Sequence, residues 1–218
     1  MLIYVFKGSD NLRLRKKSNI NEKLQQFSDF VFLPDDTFQL KKNEDRKLYV
    51  ELGTGKGDFI SQLAERNLNI DFIGIEAEST VLYAAARKIR DKKLKNVRLL
   101  VFNVNNIDEL FAENDVDRFY INFCDPWPKK RHAKRRLTHI NFLEKYRRIL
   151  KPDGEIQFKT DNRGLFDFSL EQFELANIKV SECTYDLHAD NPLDNIQTEY
   201  EHKFSSLGVP ICRCVCKF

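Results

Sequence analysis

No stretch of this 218-residue chain stays apolar for the roughly 18–20 residues that a membrane-spanning helix needs. The apolar opening Leu2–Phe6 is cut by Lys7, too short for the core of a signal peptide. A large net charge is missing too: 36 basic against 33 acidic residues leave +3, so any polyanion site has to come from local clustering. No Cys-x-x-Cys pair occurs, and the histidines (His132, His139, His188, His202) have no ligand spacing, so no metal site is expected. Five cysteines, an odd number without a secretion signal, imply reduced thiols and a cytoplasmic protein. Cys212, Cys214 and Cys216 alternate and read as small buried residues of a last strand. Linkers, low-complexity tracts and repeats are absent. At 42% hydrophobic and 32% charged, the chain fits a globular protein of one domain.

What is present is concentrated. The run Arg118–Phe123 is an apolar strand that stops at a single acid, Asp125, followed by Pro126, the only tryptophan Trp127, and Pro128. Each X-Pro step pushes the residue before it toward extended backbone, so the acid sits on a stiff loop. Six of the eight residues 129–136 are then Lys or Arg. A basic run alone is more often a solvated face than a binding site. An acid, a rigid turn, an indole and a positive cluster within fourteen residues instead suit a carboxylate set against the reactive group of a polyanion. Arg13, Arg15, Lys16, Lys17 and the stretch Arg87–Lys95 are further basic clusters.

Apolar runs at Leu48–Leu52, Phe72–Glu76, Val97–Phe102, Arg118–Phe123 and Gly154–Thr160 read as strands. Helical spacing falls between them: Phe59, Ile60, Leu63 and Ala64; then Val81, Leu82, Ala85 and Ile89, with Ser79 as cap; then Ile140, Leu143, Tyr146 and Leu150, ended by a turn at 151–154. Phe166, Leu170 and Phe173 mark one more helix. Such alternation predicts an α/β, Rossmann-like fold with a mostly parallel sheet and helices on both faces. Ile178–Asp186 and Ile211–Phe218 add an antiparallel, hairpin-like C-terminal edge joined by a long loop. Residues 1–45 read as an N-terminal arm, partly disordered and with one helix; 46–218 read as the single domain.

After the first of those strands comes Glu51-Leu-Gly53-Thr-Gly55-Lys-Gly57. Glycines there let the backbone turn and let a ligand approach main-chain N–H groups. Asp58 stands where a dinucleotide fingerprint has its third glycine. Glu76 closes the next strand, where an acid accepts hydrogen bonds from ribose hydroxyls. Loop and acid together favour S-adenosylmethionine over a nicotinamide cofactor. Asn103 either reads an adenine edge or serves its own turn. Asp161 either orients a substrate base or caps the following helix, and Trp127 either packs under its loop or stacks on a base.

The segments YVELGTGKGDF, IGIEAES, NFCDPWPKKRHAKRR, FKTDNRGLF and TEYEHKF resemble, in order and spacing, the bacterial tRNA (guanine-N7-)-methyltransferase family from about Leu12 onward. The resemblance implies a class I S-adenosylmethionine-dependent methyltransferase acting on tRNA, usually at the variable-loop guanine at position 46. It implies cofactor contacts at Glu51, Glu76, Asn103 and Asp125, beside the loop glycines Gly53, Gly55 and Gly57 already read as cofactor-binding, with Asp125 also catalytic. Substrate contacts fall on Lys129, Asp161, Thr198, Glu199, Tyr200 and Glu201, with the last four on a loop. RNA contacts fall on Arg131, His132, Lys134, Arg135 and Arg136. Where the family has an acidic, small-residue segment this chain has Asn103-Val-Asn-Asn106, and Met1–Asn11 precede the family's usual basic start at Leu12–Arg15. A monomer or homodimer is expected, with no metal and no membrane.

The chemistry implied is undemanding in one respect. Guanine N7 carries a free lone pair, so no strong base has to remove a proton before attack, and alignment does the work. A small-molecule methyltransferase on the same scaffold, a tRNA-binding module without catalysis, and a nicotinamide dehydrogenase are the competing readings. The first has no use for the basic cluster, the second would show a damaged glycine loop, and the third conflicts with Asp58.

Overall fold

Apolar runs without polar alternation have to be covered on both faces, which is the condition of strands in a parallel sheet. The computed structural model describes residues 19–40, 43, 45–190 and 195–218, arranged as two compact units, 1–112 and 113–218. The basic cluster Arg13, Arg15, Lys16 and Lys17 and the extension Met1–Asn11 lie outside the described residues.

In the first unit, α1 (Asn19–Gln25) and β1 (Val31–Phe32) precede β2 (Leu48–Leu52), α2 (Asp58–Arg66), β3 (Asp71–Glu76), α3 (Ser79–Asp91) and β4 (Val97–Val101). The strands run in the order β1-β4-β3-β2, all parallel. All five residues of β2 are buried, the apolar four as their sequence demands and Glu51 with them. The helix α3 starts at Ser79, but Glu78 is its N-cap residue and no side chain caps it, so the expected Ser79 cap is not made. Val81 is only half-buried, and Ala86 joins Leu82, Ala85 and Ile89 inside.

Residues 19–40, read from the sequence as part of an arm, carry Leu24, Phe27, Val31 and Phe38 into the core of this unit. Arg90 of α3 fixes them from outside. Its guanidinium lies 4.3 Å over the Phe27 ring and donates to Asp29 at 2.9 Å.

The second unit holds β5 (Val116–Asn122), α4 (Ile140–Ile149), β6 (Leu150–Thr160), α5 (Arg163–Leu175), β7 (Lys179–Thr184), α6 (Leu187–Asp190), α7 (Glu199–Ser205) and β8 (Cys212–Lys217). Its strand order is β5-β6-β8-β7, with β5 and β6 parallel and both β6–β8 and β8–β7 antiparallel. The antiparallel finish is as expected, but β8 is interior and β7 holds the edge. The connection between them carries α6 and α7 rather than loop alone, and Cys212, Cys214 and Cys216 are buried on β8.

The turn expected at 151–154 is instead an irregularity within β6. The pairing jumps from Val116–Leu150 to Arg118–Glu155, and Lys151 Nζ bonds both oxygens of the opposing Asp117 at 3.0 Å. Beneath the sheet Tyr146 packs against Phe119, with ring centroids 5.0 Å apart, and both side chains are wholly buried. The Phe119 ring contributes about 1.5–3 kcal/mol by leaving water.

Candidate active site

In the first unit the glycine loop is tied to the end of β3. Gly53 N and Thr54 N both donate to Ile75 O, at 2.8 and 3.0 Å, and Gly55 N donates to Glu76 Oε2 at 3.1 Å. Gly53, Gly55 and Gly57 all have positive φ, which side-chain-bearing residues adopt only with strain. A Cβ on Gly55 would meet nothing within 4 Å, so the loop faces open space there. At Gly57, the N-cap residue of α2, a Cβ would stand 2.6 Å from the Cβ of Ala85. The first position leaves room for a ligand; the second lets α3 pack close.

Glu76 is half-exposed, and its Oε1 accepts from Glu78 N at 3.1 Å. Each carboxylate oxygen accepts one backbone N–H and retains a second acceptor position, which fits a pair of ribose hydroxyls. Glu51 is 3% exposed under the loop and takes a 2.6 Å hydrogen bond from Thr54 Oγ1. Asn103 is exposed, and its Oδ1 accepts from Asn105 N at 3.0 Å. It therefore serves its own turn, leaving its amide N–H groups to a ligand.

In the second unit the loop after β5 is strained on both sides of its acid. Phe123 has φ 52° and Trp127 φ 41°, a region that bulky side chains rarely occupy. A proline favours extended backbone before it, so Trp127 departs from the expectation drawn from Pro128. Contacts hold it there. Arg136 donates from Nε to Pro126 O at 2.9 Å and from Nη2 to Trp127 O at 3.0 Å. The Arg135 guanidinium lies 4.8 Å over the indole, and the His132 ring meets it edge-on at 5.7 Å. On the entry side, Phe123 N donates to Lys159 O at 2.9 Å.

Between these fastenings Asp125 is exposed and has no hydrogen bond or ion pair among the described residues. The neighbouring Cys124 thiol is pushed up to about 12, first by burial and then by the charge of Asp125. It stays protonated at neutral pH and is no nucleophile.

The basic run is not one surface. Lys130–Arg135 form a 3-10 turn on which Lys130, Arg131, Lys134 and Arg135 are exposed, as is Lys129 before it. His132 is half-buried, with Arg131 Nε donating to its Nε2 at 3.3 Å, and Arg136 is half-buried as well. Burial first, then the cationic Lys134 and Arg136, lower the pKa of His139 below its usual value.

Asp161 does not cap α5. Asn162 does, its Oδ1 accepting from Leu165 N at 2.8 Å. Asp161 Oδ2 instead accepts from Tyr200 Oη at 3.3 Å. Burial, then the negative Asp161, raise the pKa of that phenol, so it remains a donor. Tyr200 packs between Phe204 and Phe123, with centroids at 4.3 and 5.1 Å.

Thr198–Glu201 open a helix rather than lie on the expected loop. Thr198 Oγ1 caps α7 by accepting from Glu201 N at 2.9 Å, and Glu199 is the first helical residue. Glu201 is 0% exposed: Oε2 pairs with Lys159 Nζ at 2.7 Å, while Oε1 accepts from Asn195 Nδ2 at 2.8 Å and lies 3.3 Å from His188 Nε2. Lys159 Nζ also donates to Ile196 O at 2.9 Å. Sequence reasoning missed this anchor. Its one signal was a lysine inside the apolar stretch Ile156–Thr160.

Residues 45–214 match the family model described as "Putative methyltransferase". The tRNA (guanine-N(7)-)-methyltransferase of Bacillus velezensis is 43% identical over 206 residues, 93% of this chain and 95% of its own. That of Clostridioides difficile is 43% identical over 211 residues, 94% and 99% of the two chains. Among solved structures, an antibiotic-related methyltransferase superposes with a TM-score of 0.58 at 16% identity, covering 97% of this chain and 98% of its own. A 30S ribosomal A1408 methyltransferase from an uncultured bacterium gives 0.55 at 17%, covering 99% of both. At such identities the structures establish the fold alone, a class I methyltransferase α/β fold. The sequence relatives go further: sharing more than two-fifths of their residues over nearly the whole length of both proteins, the chain belongs to the bacterial tRNA (guanine-N(7)-)-methyltransferase family.

Proposed function

We propose that this protein methylates N7 of a guanine in tRNA, the variable-loop guanine at position 46, with S-adenosylmethionine as the methyl donor. Beyond family membership, the observation that carries the reading is Asp125, an exposed acid without a partner among the described residues, on a loop strained at Phe123 and Trp127. Strain of this kind costs of order 1–3 kcal/mol per residue and persists where surrounding contacts over-determine it, most often at functional sites.

S-adenosylmethionine, when bound, supplies an electrophilic methyl group on a sulfonium. The residues that fit it are Gly53, Gly55 and Gly57, whose loop opens to space at Gly55, together with Glu76 for the ribose, Glu51 beneath the loop and the amide N–H of Asn103 for the adenine. Guanine N7 presents its lone pair without losing a proton, so the residues need only align and stabilise, and neither a metal nor a strong base is required. Asp125 holds the base or the cofactor's amino group, and its charge stabilises the purine as it becomes cationic. Asp161 accepts from the ring N–H and amino group of guanine, its carboxylate oriented by Tyr200. With Glu201 buried and paired, Asp161 is the carboxylate of that pair available to the base.

Lys129, Arg131, Lys134 and Arg135 meet phosphates. Each phosphate neutralised releases counterions, so tRNA binding falls steeply with salt. The protein acts in the cytoplasm, as a monomer or homodimer.

A radiolabelled methyl-transfer assay on unmodified tRNA, followed by digestion to nucleosides, tests the reading. The wild-type protein should yield 7-methylguanosine, mapped to position 46 by primer-extension stops after borohydride and aniline cleavage, and Asp125→Ala should lose it. Cofactor binding with no methylated nucleoside would overturn the reading in favour of a small-molecule methyltransferase. Product at another guanine would overturn only the position.

A further inference from the structure

The basic run divides by what its members touch, and Arg136 stands apart. Its two donating nitrogens meet consecutive carbonyls of the loop that carries Asp125: Nε at 2.9 Å from Pro126 O and Nη2 at 3.0 Å from Trp127 O. One face of the same guanidinium lies 4.2 Å over the Phe168 ring of α5. Its backbone is fixed as well, with its N–H on Ala133 O at 3.0 Å and its carbonyl accepting from His139 N at 2.9 Å. Arg136 is half-buried, whereas Arg131, Lys134 and Arg135 are exposed.

The loop has few other means of holding its shape. Pro126 and Pro128 carry no N–H, so neither can donate a hydrogen bond that would hold the segment in shape. Phe123 and Trp127, two residues either side of Asp125, both sit at positive φ. Such a segment relaxes unless something outside it holds both ends. The entry is held by Phe123 N on Lys159 O, and the exit by the guanidinium fork. A fork suits two adjacent carbonyls as a point donor does not, because its N–H vectors are planar and preset.

We propose that Arg136 is a positioning residue for Asp125, not a phosphate contact: it locks the strained Pro126–Trp127 backbone, and with it the acid, from a seat on Phe168. The proposal rests on the methyltransferase reading of Asp125. It also withdraws Arg136 from the RNA-contacting set that the family resemblance implied.

The test uses Arg136→Lys, which keeps the charge and loses the fork, and Phe168→Leu, which removes the seat and leaves the arginine. Trp127, the only tryptophan, gives a readout independent of turnover. Both variants should shift the emission maximum of Trp127 and raise its quenching by acrylamide. Both should lower kcat roughly 10- to 100-fold, the scale of a misplaced reactive group. The Kd for tRNA and the slope of log Kd against log salt should match wild type, whereas Lys134→Ala should reduce that slope by about one phosphate. Circular dichroism establishes that each variant is folded, and Phe168→Leu carries the test if Arg136→Lys is not.

An Arg136→Lys protein with wild-type kcat and Trp127 emission would overturn the proposal, as would an Arg136→Gln protein whose only defects are weaker tRNA binding and a reduced salt slope. If the wild-type protein forms no 7-methylguanosine while both variants still move Trp127, the methyltransferase reading has failed and the brace itself stands.

Discussion

Replacing Glu201 with glutamine isolates one charge in a buried ion pair. The Glu201 and Lys159 side chains are 0% and 5% exposed, with 2.7 Å between Oε2 and Nζ. The variant keeps the size and one acceptor of the side chain but removes the charge opposite the Lys159 ammonium, which keeps Ile196 O at 2.9 Å and Asn195 Oδ1 at 3.2 Å among its acceptors. Breaking a buried pair from one side costs about 3–5 kcal/mol, because the surviving charge stays desolvated. The two neutral acceptors put Glu201→Gln at the lower end of that range. In a protein of this size each kcal/mol moves Tm by about 2–4 °C, so a fall of at least about 6 °C is expected. Scanning calorimetry measures it, with a double-mutant cycle through Lys159→Met. The double variant should recover part of the loss, since the Lys159 charge is then no longer left buried without its carboxylate. A single variant that melts with the wild type while its KM for tRNA rises would refute the reasoning, because the carboxylate would then face substrate rather than Lys159.

Other predictions follow from single distances. Gly57→Ala should destabilise the fold by about 1–3 kcal/mol, since its Cβ meets the Cβ and backbone of Ala85 at 2.6 and 2.9 Å; Gly55→Ala, with open space in front of it, should lose affinity for S-adenosylmethionine in titration calorimetry with a smaller change in Tm. Tyr200→Phe removes the donor on Asp161 at 3.3 Å and should raise KM for tRNA several-fold while changing Tm by only a few degrees. Burial holds the Cys124 thiol at about 12 against an ordinary 9.0, so between those values the folded protein binds more protons than the unfolded chain. Its contribution to stability is therefore lost as pH rises from about 9 toward 12. Thermal melts in that range should fall with pH, and less steeply for Cys124→Ala. Exposed Cys183 should be the first thiol that iodoacetamide modifies at pH 8; early modification of Cys124 would contradict its raised pKa.

Sequence and structure agree best where the signal is local and continuous. Leu48–Leu52 is a strand in both, because Leu48, Tyr49, Val50 and Leu52 form a near-continuous apolar run that only Glu51 interrupts. The loop Gly53–Gly57 was legible for the same reason, its glycines being required by backbone geometry within the segment itself. Legibility fails where the partner is distant. Leu24 and Phe27 look like isolated apolar residues in a polar stretch until α3 supplies their other side. The 151–154 segment carries every local mark of a turn and is held within β6 by the Asp117 carboxylate opposite. Glu201 and Arg136 are the instructive cases at the site. Both belong to charged residue types that normally face water, and only the fold reveals that one meets a lysine 42 residues earlier and the other reaches back ten residues to a proline carbonyl.

The place of β8 between β6 and β7 bears on how the protein is made. A ribosome that has finished β6 still has about 50 residues to add before β8 emerges, which takes about 3–10 s at roughly 5–20 residues per second. Through that interval one edge of β6 offers the unpaired N–H and C=O groups of residues 155–160, and β7 has no strand beside it. An open edge of this kind is a template for another chain. The strand β8 closes both of these edges at once, so the nascent chain is open to misassembly until residues 212–217 emerge.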